Sequence, residues 1–85
     1  MELEQQIFDE VVKRCDLDAS TLDGVDFDTD FFDRGDGRPN LGMDSIDSLE
    51  LVALLYDNWK IDVPREDMKK LYSVNAIAQY IRERQ

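Results

Sequence analysis

Apolar residues recur at helical spacing near the start of the chain. Leu3, Ile7, Phe8, Val11, Val12 and Cys15 share one face, with Glu4, Asp9, Lys13 and Arg14 between them, and predict a helix over 3–15. Glu2 and Glu4 suit the positive end of its dipole, Lys13 and Arg14 the negative end. The period then lapses. Residues 16–43 are rich in Asp, Gly and Thr and read as a long connection without strands, anchored at intervals by Leu17, Leu22, Val25, Phe27, Phe31, Phe32 and Leu41. The run 33–40, DRGDGRPN, is its most turn-prone and exposed part. The helical period returns over 45–59, opened by Ser45 as N-cap with Asp44 and Asp47 beside the dipole, and closed near Asn58 and Lys60. A short helix follows over 64–70, begun by Pro64 with Glu66 and Asp67 in its first turn. The last helix spans 74–84, with Ser73 as N-cap and Val74, Ile77, Ala78 and Ile81 on one face. The expected fold is all-α, a small bundle of three main helices plus one short helix, forming a single domain over 1–85.

Projection at about 100° per residue sorts the 45–59 helix into sectors. Leu51, Val52, Leu55 and Trp59 form the expected core face. Ile46, Leu49, Ala53 and Tyr56 lie to one side of it, and Glu50 and Asp57 just beyond. The apolar arc is wider than one core requires and is rimmed by acids. It can dock a partner, or it can pack on the long connection or the short helix.

Charge narrows the functions available. The formal net charge is -10, and it is uneven: residues 16–50 hold eleven acids against Arg34 and Arg38 alone. Such a field repels nucleic acid and anionic membranes and attracts basic protein surfaces. It also opposes self-association, so a monomer is expected. No apolar run approaches a membrane span, and no signal peptide is expected at the acidic start. The single cysteine, Cys15, excludes an internal disulfide framework and reads as a buried thiol of a reducing, cytoplasmic compartment. The chain has no histidine, so a Ser-His-Asp triad, a Cys-His pair and a histidine metal site are all impossible. No catalytic residue and no metal ligand is expected. Asp26, Asp28 and Asp30 begin like a calcium loop, but Phe31 and Gly37 stand where that loop needs Gly and Glu. Arg34-Gly35-Asp36 spells an adhesion tripeptide with no other sign of export.

Chemistry enters at Leu41-Gly42-Met43-Asp44-Ser45-Ile46. A serine at a helix start after Gly and Asp presents an exposed hydroxyl, and a phosphate placed on it is expected to meet free backbone N–H groups and the helix dipole. An ordinary capping serine has the same local sequence. The segment LGMDSIDSLELVALLYDNW, Leu41 to Trp59, resembles the signature helix of acyl carrier proteins, in which Gly-x-Asp-Ser-Leu precedes an acidic amphipathic helix. The likeness continues through Ile61-Asp62-Val63-Pro64, Glu66-Asp67 and Ser73 to Ile77, and more weakly into the first helix.

The resemblance implies that Ser45 carries covalent 4′-phosphopantetheine, derived from coenzyme A and attached by a phosphopantetheinyl transferase with a divalent metal. Asp44 would lie beside that metal and the transferase. It also implies a non-enzymatic carrier, holding acyl groups as thioesters for fatty-acid, polyketide or related specialised biosynthesis. Ile46, Leu49 and Ala53 would give apolar contacts, and Asp47, Glu50 and Asp57 acidic ones, to the transferase, an acyl-loading enzyme and synthase enzymes with basic docking patches. Ile46 in place of the family's Leu is nearly isosteric and changes little, whereas a longer connection between Phe32 and Leu41 bearing Arg34 and Arg38, and Tyr56 where acids are common, point to a specialised carrier. Asp47-Ser48-Leu49 repeats the motif, but Ser48 projects onto the core face, lacks a preceding Gly, and suits a hydroxyl bonded to a backbone carbonyl. The remaining readings are an aminoacyl or peptidyl carrier, an unmodified acidic interaction module, and a carboxylate enzyme, for which no paired acids stand out.

Overall fold

A computed structural model describes residues 2–18, 20 and 22–84. The order is α1 (Glu2–Arg14), β1 (Asp30–Phe32), β2 (Asn40–Met43), α2 (Ser45–Trp59), a 3₁₀ helix (Arg65–Lys70) and α3 (Val74–Arg84). The helical bundle expected from the apolar period is present, with the short helix wound as 3₁₀ after Pro64.

α1 packs against both α2 and α3. Ile7 and Val11 of α1, Leu51, Leu54 and Leu55 of α2, and Val74, Ile77, Ala78 and Ile81 of α3 are all buried. The core face of α2 therefore differs from the projection. Leu54 is fully buried, while Val52 and Trp59 are only half-buried. α2 is flanked by α1 on one side and β2 on another, so its buried sector is not centred where a single packing partner would put it.

The connection is also more ordered than expected. β1 and β2 pair in parallel, Asp30 with Asn40 and Phe32 with Met43, with an irregularity between. Strands of three and four residues are too short for alternation to reveal them. What the sequence does carry is their anchoring. Phe31, Leu41 and Met43 enter the core, and Leu17, Leu22, Val25, Phe27 and Phe32 pack against it. Side chains of Asp and Asn close successive turns in and beside the loop. Gly35 N–H donates to Asp33 Oδ1 at 2.8 Å, Arg38 N–H to Asp36 Oδ1 at 3.1 Å, and Gly42 N–H to Asn40 Oδ1 at 2.7 Å. Arg34 pairs with Asp30 and lies over the Tyr72 ring, and Arg38 pairs with Asp36.

Polar contacts join the elements. Arg82 Nη1 meets Glu4 Oε2 at 2.7 Å between α3 and α1. Tyr80 Oη donates to Asp67 Oδ2 at 2.8 Å, and Arg84 reaches the same oxygen at 3.3 Å, fastening the 3₁₀ helix to α3. These contacts hold Asp67 below the ordinary carboxylate range, chiefly through the Tyr80 hydroxyl. Ser73 caps α3 as expected, accepting from Ala76 N–H at 3.1 Å.

Candidate functional site

The chain reaches α2 through Gly42, whose φ of 65° is a backbone state that a side chain disfavours. That turn lets Met43 enter the core while Asp44 and Ser45 stay exposed. The N-cap is Asp44, not Ser45 as the sequence suggested. Asp44 has extended backbone angles, and its Oδ1 accepts from Ile46 N–H at 3.0 Å and Asp47 N–H at 3.2 Å. Asp47 Oδ2 accepts in return from Asp44 N–H at 3.1 Å, completing a capping box. An ionised carboxylate complements the helix dipole better than a neutral hydroxyl, and Asp47 stands at the position that reciprocates.

Two consequences follow for Ser45. As the first helical residue its hydroxyl is exposed, and among the described residues it has no hydrogen-bond partner. The expectation of free N–H groups around it, however, is not met. Those of Ile46 and Asp47 go to Asp44, and that of Ser48 goes to the Asp44 carbonyl at 3.1 Å. The amide donors that follow Ser45 are thus engaged by Asp44. The second serine is different. Ser48 donates to the Ser45 carbonyl at 2.7 Å, as expected for a hydroxyl bonded to backbone, and it is half-buried instead of lining the core.

A groove of about 480 Å³ opens beside Ser45, lined by Ile46, Ser48, Leu49, Val52, Val63, Arg65 and Met68. Its walls come from α2, the segment before the 3₁₀ helix, and the 3₁₀ helix itself. An exposed hydroxyl therefore stands next to a largely apolar groove with one cation, Arg65, in its lining. Val63, Arg65 and Met68 were not singled out in the sequence, because only the fold brings them to α2.

The outer face of α2 carries Ile46 at 70% and Leu49 at 60% exposure, with Ala53 half-buried between its neighbours. Tyr56 is also exposed, and the Lys60 ammonium lies 5.4 Å from its ring centroid. Asp44, Glu50 and Asp57 are exposed and Asp47 is half-buried. Arg14 was read from the sequence only as a helix-terminal base. Its guanidinium crosses from α1 to meet Asp57 Oδ2 at 2.5 Å and Glu50 Oε1 at 4.0 Å. Cys15 beside it is half-buried, and burial, with the nearby charges of Asp47 and Glu50, pushes its thiol up to about 11. Both effects disfavour its thiolate.

Comparison with known proteins agrees with this geometry. The family model described as "Phosphopantetheine attachment site" matches residues 36–81. The acyl carrier protein of Streptomyces coelicolor is 35% identical over 80 residues, covering 94% of this chain and 83% of that protein. That of Bdellovibrio bacteriovorus is 29% identical over 84 residues, covering 99% and 96%. The mitochondrial acyl carrier protein of Neurospora crassa is 29% identical over 73 residues, covering 86% of this chain and 54% of that protein. Among the described residues, no helix is long and apolar enough to cross a membrane. With an attachment-site match across the serine-bearing helix and relatives aligned over nearly its whole length, the chain belongs to the acyl carrier proteins, non-catalytic carriers with a covalent 4′-phosphopantetheine group that serve a phosphopantetheinyl transferase and synthase partners.

Proposed function

We infer that Ser45 is the attachment residue, and that the protein carries acyl groups for fatty-acid, polyketide or related specialised biosynthesis. The observation that carries this reading is the unpartnered, exposed Ser45 hydroxyl at the start of α2, set beside an apolar groove. When bound, phosphopantetheine supplies a terminal thiol whose thioester is activated for acyl transfer.

The chain's own residues account for the rest. Asp44 holds the helix start rigid while leaving Ser45 outward, and its outer carboxylate face is open to the transferase and its divalent metal. Val52, Val63 and Met68 offer apolar shelter to an acyl chain, and Arg65 offers a counter-charge to a phosphodiester. Ile46, Asp47, Leu49, Glu50, Ala53 and Asp57 form one face, apolar in the middle and acidic at its margins. That face suits basic docking patches on the transferase, an acyl-loading enzyme and synthase enzymes. The net charge of -10 steers such partners inward and keeps copies of the chain apart, in keeping with a monomer. A single domain over 1–85 accommodates all of these features, and the unpaired Cys15 thiol suits the cytoplasm. The apolar groove favours an acyl over an aminoacyl or peptidyl cargo.

The test is intact-protein mass spectrometry after incubation with coenzyme A, magnesium and a broad-specificity phosphopantetheinyl transferase. The expected result is one added phosphopantetheinyl group on the wild-type protein and on Ser48→Ala, and none on Ser45→Ala. Modification that survives in Ser45→Ala and is lost in Ser48→Ala overturns the assignment. No modification of folded wild-type protein, with another carrier modified in the same tube, favours an unmodified interaction module.

A further inference from the structure

The acids on the outer face of α2 are not equivalent. Arg14 directs its three guanidinium nitrogens at three carboxylates: Nη2 to Asp57 at 2.5 Å, Nη1 to Glu50 at 4.0 Å, and Nε to Glu10 of its own helix at 3.9 Å. Its side chain is only 25% exposed, so it is held against the protein instead of waving in solvent. Nearby, Asn58 Nδ2 approaches Glu10 Oε1 at 3.5 Å and Lys60 sits over Tyr56, so this face from Glu50 onward is already supplied with its own polar partners. The segment before Glu50 is not. Asp44 and Asp47 engage only backbone N–H groups, and no cation of the described residues pairs with either. Ile46 and Leu49, both strongly exposed, stand in that same segment.

We propose that Arg14 is an internal competitor that grades the docking face: it offsets part of the charge of Asp57 and Glu50, and so favours protein partners that place their cations against Asp44 and Asp47 and an apolar hollow over Ile46 and Leu49. Charge complementarity argues for this occupant. A partner cation approaching Asp57 meets the Arg14 guanidinium already in place and must displace it, whereas one approaching Asp47 meets none. An exposed pair contributes modestly, but for an approaching surface it weakens the local negative field, which governs encounter rate and register. The proposal rests on the reading of α2 as the docking face, and deepens it by stating which of its acids act and why the others are muted.

The experiment is a set of double-mutant cycles read by the kcat/KM of loading with a broad-specificity phosphopantetheinyl transferase, and by the Kd of the unmodified protein for that transferase at two salt concentrations. Asp47→Asn, Glu50→Gln and Asp57→Asn are each made with Arg14 present and with Arg14→Gln, a change that keeps length and helix propensity. The cost of Asp57→Asn and of Glu50→Gln is expected to grow by about threefold once Arg14 is Gln, while that of Asp47→Asn stays the same in both backgrounds. Arg14→Gln alone is expected to tighten binding and steepen its salt dependence. Arg82→Gln, which removes the same charge from the Glu4 pair, is expected to do so much less. Additive cycles for Glu50 and Asp57, with Asp47→Asn costly, overturn the grading and leave the docking face standing. If none of the three acid variants changes either readout in either background, the docking reading falls together with it.

Discussion

Replacing Asp44 by Ala and by Asn separates two tasks that one carboxylate performs. Ala removes the acceptor for the Ile46 and Asp47 N–H groups and half of the capping box. Loss of an Asp N-cap costs about 1 kcal/mol, within a range of roughly 0.5–2. The lost interaction with the helix dipole adds a few tenths. Relief of repulsion with Asp47 offsets a similar amount, because both acids lie in one turn. The net expectation is a destabilisation of about 1 kcal/mol, or roughly 4–8 °C in melting temperature for a domain of this size. Asn keeps an acceptor oxygen at the same place and ranks with Asp as a cap, so it is expected to lose no more than about 0.5 kcal/mol. Urea and thermal unfolding followed by far-UV circular dichroism measure both. Loading by the transferase, measured on the folded proteins, is expected to slow in Asp44→Asn despite its near-native stability. An Asn variant as unstable as the Ala variant would falsify the hydrogen-bonded cap as the source of the stability. An Ala variant as stable as wild type would show that the box is dispensable.

The remaining predictions concern other parts of the fold. Leu54→Ala empties a fully buried position and is expected to lower stability by about 3 kcal/mol, read as a lower urea midpoint at an unchanged slope. Glu4 is held down to about 2 from 4.5 by its hydrogen bond with Arg82, so its stabilising share is complete above pH 4.5 and is lost as pH falls toward 2. Arg82→Gln is therefore expected to make the acid-side loss of stability shallower in that window, and an unchanged slope refutes the coupling. Cys15, with its thiol pushed up to about 11 by burial, is expected to react with a disulfide reagent far more slowly in the native protein than in urea, and rapid native labelling contradicts that burial.

The long amphipathic elements were legible in the sequence because each repeats its apolar spacing over several turns. α2 and α3 occupy the segments that their periodicity marks, and α1 is displaced by a single residue at each end. The strands were not legible, since three residues cannot display an alternation, although the buried Phe31 and Leu41 betrayed where the connection touches the core. Leu54 escaped because a helical projection has one axis and α2 has neighbours on more than one side. The Arg14 contact with Asp57 spans 43 positions, and no local pattern encodes it. The groove residues Val63, Arg65 and Met68 are of the same kind: each is unremarkable in its own segment and acquires a role only through the packing of the 3₁₀ helix beside α2.

The identity of the cap is the subtlest of these gaps and the one closest to function. Asp44 and Ser45 are both good capping residues, and adjacent in the chain, so composition cannot choose between them. The choice has opposite chemical outcomes. A capping serine turns its Oγ inward to accept from the second or third helical N–H, and the hydroxyl is then engaged by the backbone. With the cap moved one residue back, Asp47 falls at the third helical position, the box closes between the two acids, and the serine becomes the first helical residue with nothing to bond. Gly42 permits that placement by its positive φ, three residues before the serine. The pair of aspartates around Ser45 thus does more than colour the surface negative. By occupying the helix's own donors it leaves the hydroxyl without a partner in the first turn.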